Sequence, residues 1–294
     1  MLKSTTTFAF YKKSLAGGAR TAASLLFCDP LGGIFMPTPA TDTTATLPVP
    51  RPRYPFLDVL RGATLLSMVA YHAVWDLVFV FGVGWPWFSG IAGFLWQQSI
   101  CWVFILLSGF CWPLGRRPLR HGLLVLGAGA LVSVSTLLFM PENRVLFGIL
   151  TFLGFATLLL IPLEPLLRKV PATAGLAGAF AFFVLLRNVN AGVLSIGPYA
   201  LLALPAGLHQ GYLASFLGFT APDFFSTDYF SLLPWFFLFL CGYFGNRIVW
   251  RRGLQKHLTC RVPWLGFLGR HSLLIYLLHQ PLLYTCFLLA DTLL

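Results

Sequence analysis

Residues 57–77 read LDVLRGATLLSMVAYHAVWDL, an apolar run long enough to cross a bilayer that still carries Asp58, Arg61, His72 and Asp76. A membrane span needs ~20 mostly apolar residues to cover ~30 Å of hydrocarbon. A charge near its centre costs ~2.5–3.5 kcal/mol even on mild insertion scales. Four ionisable side chains on one such helix must therefore face the inside of a bundle rather than lipid. At ~100° per residue, the eleven steps from Arg61 to His72 return within about 20° of the same face, so the two share one stripe, about 16 Å apart along the axis. Asp58 lies one turn before Arg61 and Asp76 one turn after His72, which extends the polar track in both directions.

The composition agrees with a chain built to live in lipid. Of 294 residues, 57% are hydrophobic and 10% charged, with a mean hydropathy of +0.80. A soluble domain carries about 25% charged residues, so a water-soluble enzyme is excluded. The 29 Phe, 9 Trp and 9 Tyr exclude a disordered chain. Apolar runs at about 56–81, 91–114, 121–140, 145–166, 172–187, 230–249 and 271–293 predict an all-α polytopic bundle of about seven transmembrane helices. Residues 1–53 differ: Thr- and Ser-rich, then Pro-rich, they are expected to be a disordered or mis-assigned tail, with Met36 an alternative start. Residues 54–294 form the membrane domain.

The formal charge of +11 is read as a topology signal and not as a nucleic-acid surface. Arg51, Arg53, Arg116, Arg117, Arg120, Arg168, Lys169 and the basic residues from Arg247 to Arg270 fall on one side, against Arg144 and Arg187 on the other. This asymmetry predicts a cytoplasmic N-terminus and an external C-terminus. The long connection 188–229 is apolar but broken by Pro198, Pro205 and Pro222. It reads as a re-entrant or interfacial segment, with an additional span as the alternative. Six scattered cysteines, Cys28, Cys101, Cys111, Cys241, Cys260 and Cys286, read as packed free thiols. No third ligand accompanies His72 and Asp76 at a matching spacing, so no metal is expected.

Several motifs carry a resemblance as a set. Leu57-Asp58-Val59-Leu60-Arg61-Gly62 with Tyr71-His72 and Asp76-Leu77 is followed by Phe104–Gly109 (FILLSG), Phe147-Gly148-Ile149-Leu150 and Asp228–Trp235 (DYFSLLPW). Gly269-Arg270-His271-Ser272-Leu273 and Tyr276-Leu277-Leu278-His279-Gln280-Pro281 complete it. Over about residues 54–290 the chain resembles bacterial members of the heparan-alpha-glucosaminide N-acetyltransferase catalytic-domain family, within the wider transmembrane acyltransferase superfamily. The match departs at Thr151, where the family pattern has His, and at Ser231, where it has Pro.

The resemblance implies transfer of an acyl group from cytoplasmic acyl-CoA, acetyl-CoA being the expected donor, to a sugar or glycolipid acceptor on the far side of the membrane. A thioester donor needs a cation or hydrogen-bond donors at its carbonyl or phosphates, and an acceptor hydroxyl or amine needs a base. Arg61 near the cytoplasmic mouth suits the first role, and Asp58 pairs with it. His72 suits the second, with Asp76 orienting its imidazole. His279 and Gln280, beside the helix-kinking Pro281, either face the same cavity or, for His279, bond the carbonyl that Pro281 frees. Asp228 either caps the sixth span or binds the acceptor. Arg270 reads as a substrate contact or an interfacial anchor beside His271. The basic groups 116–120 and 247–261 read as topology determinants or CoA-phosphate attractors, and the aromatic run Trp235–Phe239 as lipid-facing and packing surface. The rival function is an ion- or proton-coupled transporter using the Asp58–Asp76 stripe.

Reporter fusions after residues 118, 170, 210, 255 and 294 should report inside, inside, outside, inside and outside. A cytoplasmic C-terminus would contradict the seven-span orientation.

Overall fold

The computed structural model describes residues 53–293. The expected tail, with Met36 and Cys28, lies outside the described residues, Arg53 apart. The chain folds into α1 (Pro55–Trp75), α2 (Ile91–Cys111), α3 (Pro118–Phe139), α4 (Ile149–Leu167), α5 (Ala172–Leu185), a hairpin of β1 (Val193–Ile196) and β2 (Tyr199–Ala203), α6 (Gly211–Leu217), α7 (Leu232–Arg251), α8 (Pro263–Arg270) and α9 (Ser272–Leu293). Seven helical segments are long and apolar enough to span a membrane: Pro55–Val80, Ile91–Leu114, Pro118–Phe139, Ile149–Leu167, Ala172–Ala191, Leu232–Arg251 and Ser272–Ala290. They match the seven expected runs. The protein is an integral multi-pass membrane protein.

Local signals explain the borders. Proline opens α1 and α3 in the first turn, where its missing N–H costs no helical hydrogen bond. The first span does not end as an α-helix: from Asp76 to Val80 it widens into a π-helical turn. The long connection holds no further span. It contains the hairpin, whose register pairs Val193 with Ala203 and Ile196 with Tyr199 across a bulge at Leu194/Ser195, and then the two-turn helix α6.

The core lies around α7. Trp235, Phe236, Leu238, Phe239, Cys241, Tyr243 and Phe244 pack against Cys101 and Ile105 of α2, Phe152, Ala156 and Leu160 of α4, and Ala179 and Phe183 of α5. Of the lipid-facing and packing surface expected at Trp235–Phe239, the packing part holds and the lipid-facing part is corrected: among these only Phe237 is partly exposed. The sixth span has neighbours on several sides, so its aromatic side chains are enclosed. Buried thiols are also only part of the cysteine set. All five described cysteines are free, but Cys260 and Cys286 are exposed.

Lipid tails are as apolar as leucine, so close backbone approach and interhelical hydrogen bonds must hold the helices together. A Cβ placed on Gly109 would sit 1.9 Å from the Phe239 carbonyl oxygen, and one on Gly242 would sit 2.1 Å from that of Leu106. Between the same two helices, Asn246 donates to the Phe110 carbonyl at 2.8 Å. Gly62 of α1 and Gly269 of α8 form a second contact of this kind, each meeting a backbone oxygen at 2.0 Å if given a Cβ.

Gly109→Ala or Gly242→Ala should lower stability by ~1–3 kcal/mol through forced separation of α2 and α7. Gly127→Ala, with open space at its Cβ, should be neutral or stabilising. Thermal unfolding in detergent compares them, and equal midpoints would contradict the close-packed crossing.

Candidate active site

The stripe on α1 meets α9 at the end of α1 away from its N-terminus. His72 is half-buried, and its Nδ1 lies 2.9 Å from the Met68 carbonyl oxygen. A carbonyl oxygen can only accept, so Nδ1 carries the hydrogen, and in the neutral ring Nε2 keeps a lone pair. His279 repeats the arrangement: its Nδ1 lies 2.6 Å from the Tyr276 carbonyl oxygen. Its Nε2 is buried without a protein partner. The two imidazoles stand edge to face with centroids 4.8 Å apart.

Asp76 is fully buried. Its Oδ1 accepts from Gln280 Nε2 at 2.7 Å, across 204 residues of sequence. Asp76 Oδ2 and Gln280 Oε1 have no protein partner. Four polar side chains from two helices thus converge, with three buried polar atoms left over. Buried polar groups are normally satisfied, and these three are not.

One expected role is corrected here. Asp76 does not hydrogen-bond the His72 ring. The carbonyl one helical turn back, at Met68, already holds Nδ1, and the Asp76 carboxylate turns instead to Gln280. Nor does His279 take the carbonyl of Leu277 that Pro281 leaves free; it takes that of Tyr276, at i−3.

Asp228 arrives from the connection before α7. Its Oδ2 accepts from the Ile149 N–H at 3.0 Å, so it caps α4 and not the sixth span. Thr227 and Phe230 backbone N–H groups bond the carbonyls of Arg144 and Phe147, and Ser226 accepts from the Leu146 N–H, so the two loops are stitched together. Phe147 is held at φ 55°, in the left-handed region that bulky residues avoid. Its ring stacks on Phe224 at 5.8 Å. Beside Asp228 lies a small crevice lined by Gly129, Gly148, Thr151 and Tyr276 among others. In the sequence, Thr151 stands out only as a departure from the family pattern and Tyr276 only as part of a motif, neither as a site residue. The i, i+3 spacing of Tyr276 and His279 is the signal that could have found the latter. Burial pushes the Asp228 carboxyl above the ordinary 3.8, against the pull of the Ile149 N–H and of charge on His72.

The remaining candidates lie at the other end of α1. Arg61 Nη1 and Asp58 Oδ1 are 3.5 Å apart, each about a quarter exposed. Arg61 Nη2 also donates to Cys111 Sγ at 3.4 Å. Arg270 is exposed at the end of α8, whose Gly269 packs on the Asp58 carbonyl. The structure therefore brings together His72, Asp76, His279 and Gln280, sets Asp228 on the rim of a neighbouring crevice, and keeps Arg61, Asp58 and Arg270 at the opposite mouth. No group of three or more His, Cys, Asp or Glu residues that could hold a metal gathers among the described residues.

Compared with known families, residues 53–281 match the model described as heparan-alpha-glucosaminide N-acetyltransferase, catalytic. No curated protein and no solved structure matches the chain.

The cap at Asp228 gives two stability expectations. Asp228→Ala, which leaves the Ile149 N–H unpaired, should cost ~0.5–2 kcal/mol. A carboxyl whose pKa rises on folding contributes most below its ordinary value and loses that contribution as pH rises toward the raised one. Stability should fall over the pH range just above 3.8, and Asp228→Asn should flatten that part of the curve. A curve unchanged by Asp228→Asn would contradict the burial of this carboxyl.

Proposed function

As the chain belongs to the heparan-alpha-glucosaminide N-acetyltransferase catalytic family, a family of membrane acetyltransferases, we propose that it moves an acetyl group from acetyl-CoA to a sugar or glycolipid. The donor enters from the cytoplasmic face of a bacterial-type inner membrane, and the acceptor sits on the outer face. The observation that carries this reading is the His72 imidazole, whose Nδ1–H donates to the Met68 carbonyl and leaves Nε2 free to act beside the Asp76–Gln280 and His279 polar groups.

The chemistry follows from those positions. Arg61 and Arg270 lie at the mouth where the donor's phosphates would meet a cation; the guanidinium of Arg61 offers forked donors that a lysine lacks. The arm of the donor then runs the ~16 Å from Arg61 to His72 along α1. The acceptor hydroxyl or amine attacks the thioester carbon while His72 Nε2 takes its proton. The C–S bond breaks, and the thiolate of CoA receives the proton. Asp76 Oδ2, Gln280 Oε1 and His279 Nε2 can hold acceptor hydroxyls, and Asp228 at the crevice rim can hold another. Asp58 sits 3.5 Å from the Arg61 guanidinium as its counter-charge.

Labelled acetyl-CoA supplied to inverted vesicles should leave label in lipid or glycan only when the protein is present. His72→Ala should lower that transfer by ~10²–10⁴, the usual worth of a positioned acid–base group. Arg61→Lys should weaken donor use while leaving the fold intact, as judged by an unchanged gel-filtration profile. Full transfer by a well-expressed His72→Ala protein would overturn the assignment.

A further inference from the structure

The connection between α5 and α7 has a composition unlike a water-exposed loop. From residue 188 to 222 it contains no Asp, Glu, Lys or Arg. Its ionisable imidazole, His209, is turned inward and donates from Nδ1 to the Thr220 carbonyl at 3.1 Å. Every residue of β2 is exposed. Tyr199 is 74% exposed, Leu201 and Leu202 nearly 60%, and Leu213 of α6 73%, with Ile196 and Tyr212 exposed beside them. A lone two-stranded hairpin is marginal in water, and an exposed apolar patch of this kind marks an interaction surface.

Continuity identifies what covers it. The apolar surface of the seven spans is already a lipid surface, and this patch follows directly on the end of α5. Spans that alternate in direction place the α1–α2 connection at the same end, and that connection also exposes aromatic rings, Trp85 and Trp87. Tyrosine and tryptophan rings with leucines between them are what the membrane interface selects. The open edges of the hairpin set the depth. Unpaired N–H and C=O groups are not tolerated against hydrocarbon, so the element lies at headgroup level and not in the acyl core.

We propose that residues 193–217 form an interfacial element bedded in the leaflet on the crevice side of the membrane, its partner being the bilayer surface. The bed is tied to the site described above. Tyr229 donates to the Ser215 carbonyl, the Ala221 N–H donates to Ser215 Oγ at 3.0 Å, and the Tyr212 and Phe224 rings meet at 6.2 Å. Phe224 and Tyr229 flank Asp228, so the height of α6 in the leaflet fixes the height of the crevice mouth.

The test needs no activity. In a Cys28→Ser, Cys260→Ser, Cys286→Ser background, nitroxide labels are placed at Leu202→Cys or Leu213→Cys in phosphatidylcholine liposomes. Leu131→Cys on the lipid-facing side of α3 and Asp223→Cys serve as references. The ratio of oxygen to nickel-chelate accessibility at 202 and 213 should exceed that at 223 and stay below that at 131. A ratio equal to that at 223 would overturn the proposal. So would dipolar broadening between labels at 202 or 213, which would assign the patch to a second copy. Two positions, on separate elements, keep the test decisive if one variant fails to fold.

Discussion

A carboxylate taken into a membrane span has to be answered from within the protein, because lipid offers it neither hydrogen bonds nor counter-ions. Asp76 is answered by Gln280, and much else depends on that bond. It joins the far end of α1 to the middle of α9, sets His279 edge to face with His72, and occurs where α1 widens into a π-helical turn. Such turns are often found at functional sites. Here the widening begins at the Asp76 carbonyl, which accepts from the Phe81 N–H at 3.0 Å.

The helices divide the work. α7 is enclosed by neighbours and held by glycine contacts and the Asn246 bond, which makes it the fixed centre. α9 is the least enclosed of the seven spans, with Leu274, Leu278, Leu282 and Leu289 turned outward. Its inward face carries Tyr276, His279 and Gln280. A helix with so little apolar burial relies on those polar contacts for its position, so the groups that would hold an acceptor also hold the helix.

Much of the fold is legible in the sequence because hydrocarbon thickness imposes a length that ordinary cores do not. The seven apolar runs are found to within a few residues at their borders, and proline at the start of α1 and α3 marks two of them. Contacts between distant segments are a different matter. The pairing of Asp76 with Gln280 and of Asp228 with Ile149 joins positions separated by long stretches, and nothing in local spacing names the partner. The stripe of Arg61 and His72 was readable from the helical period, whereas the Met68 carbonyl that holds His72 has no side-chain signature. The enclosure of α7 was hidden for a similar reason: an all-apolar helix reads alike whether lipid or protein surrounds it.

The proposed chemistry needs one site built jointly by α1 and α9. A kinetic double-mutant cycle on acetyl transfer measures that directly, with Asp76→Ala, Gln280→Ala and the pair together in the same liposomes. Residues that act through one shared contact are not additive. The double variant should therefore lose no more activity than the worse single variant. Losses that multiply, or single variants with full transfer, would contradict the joint site.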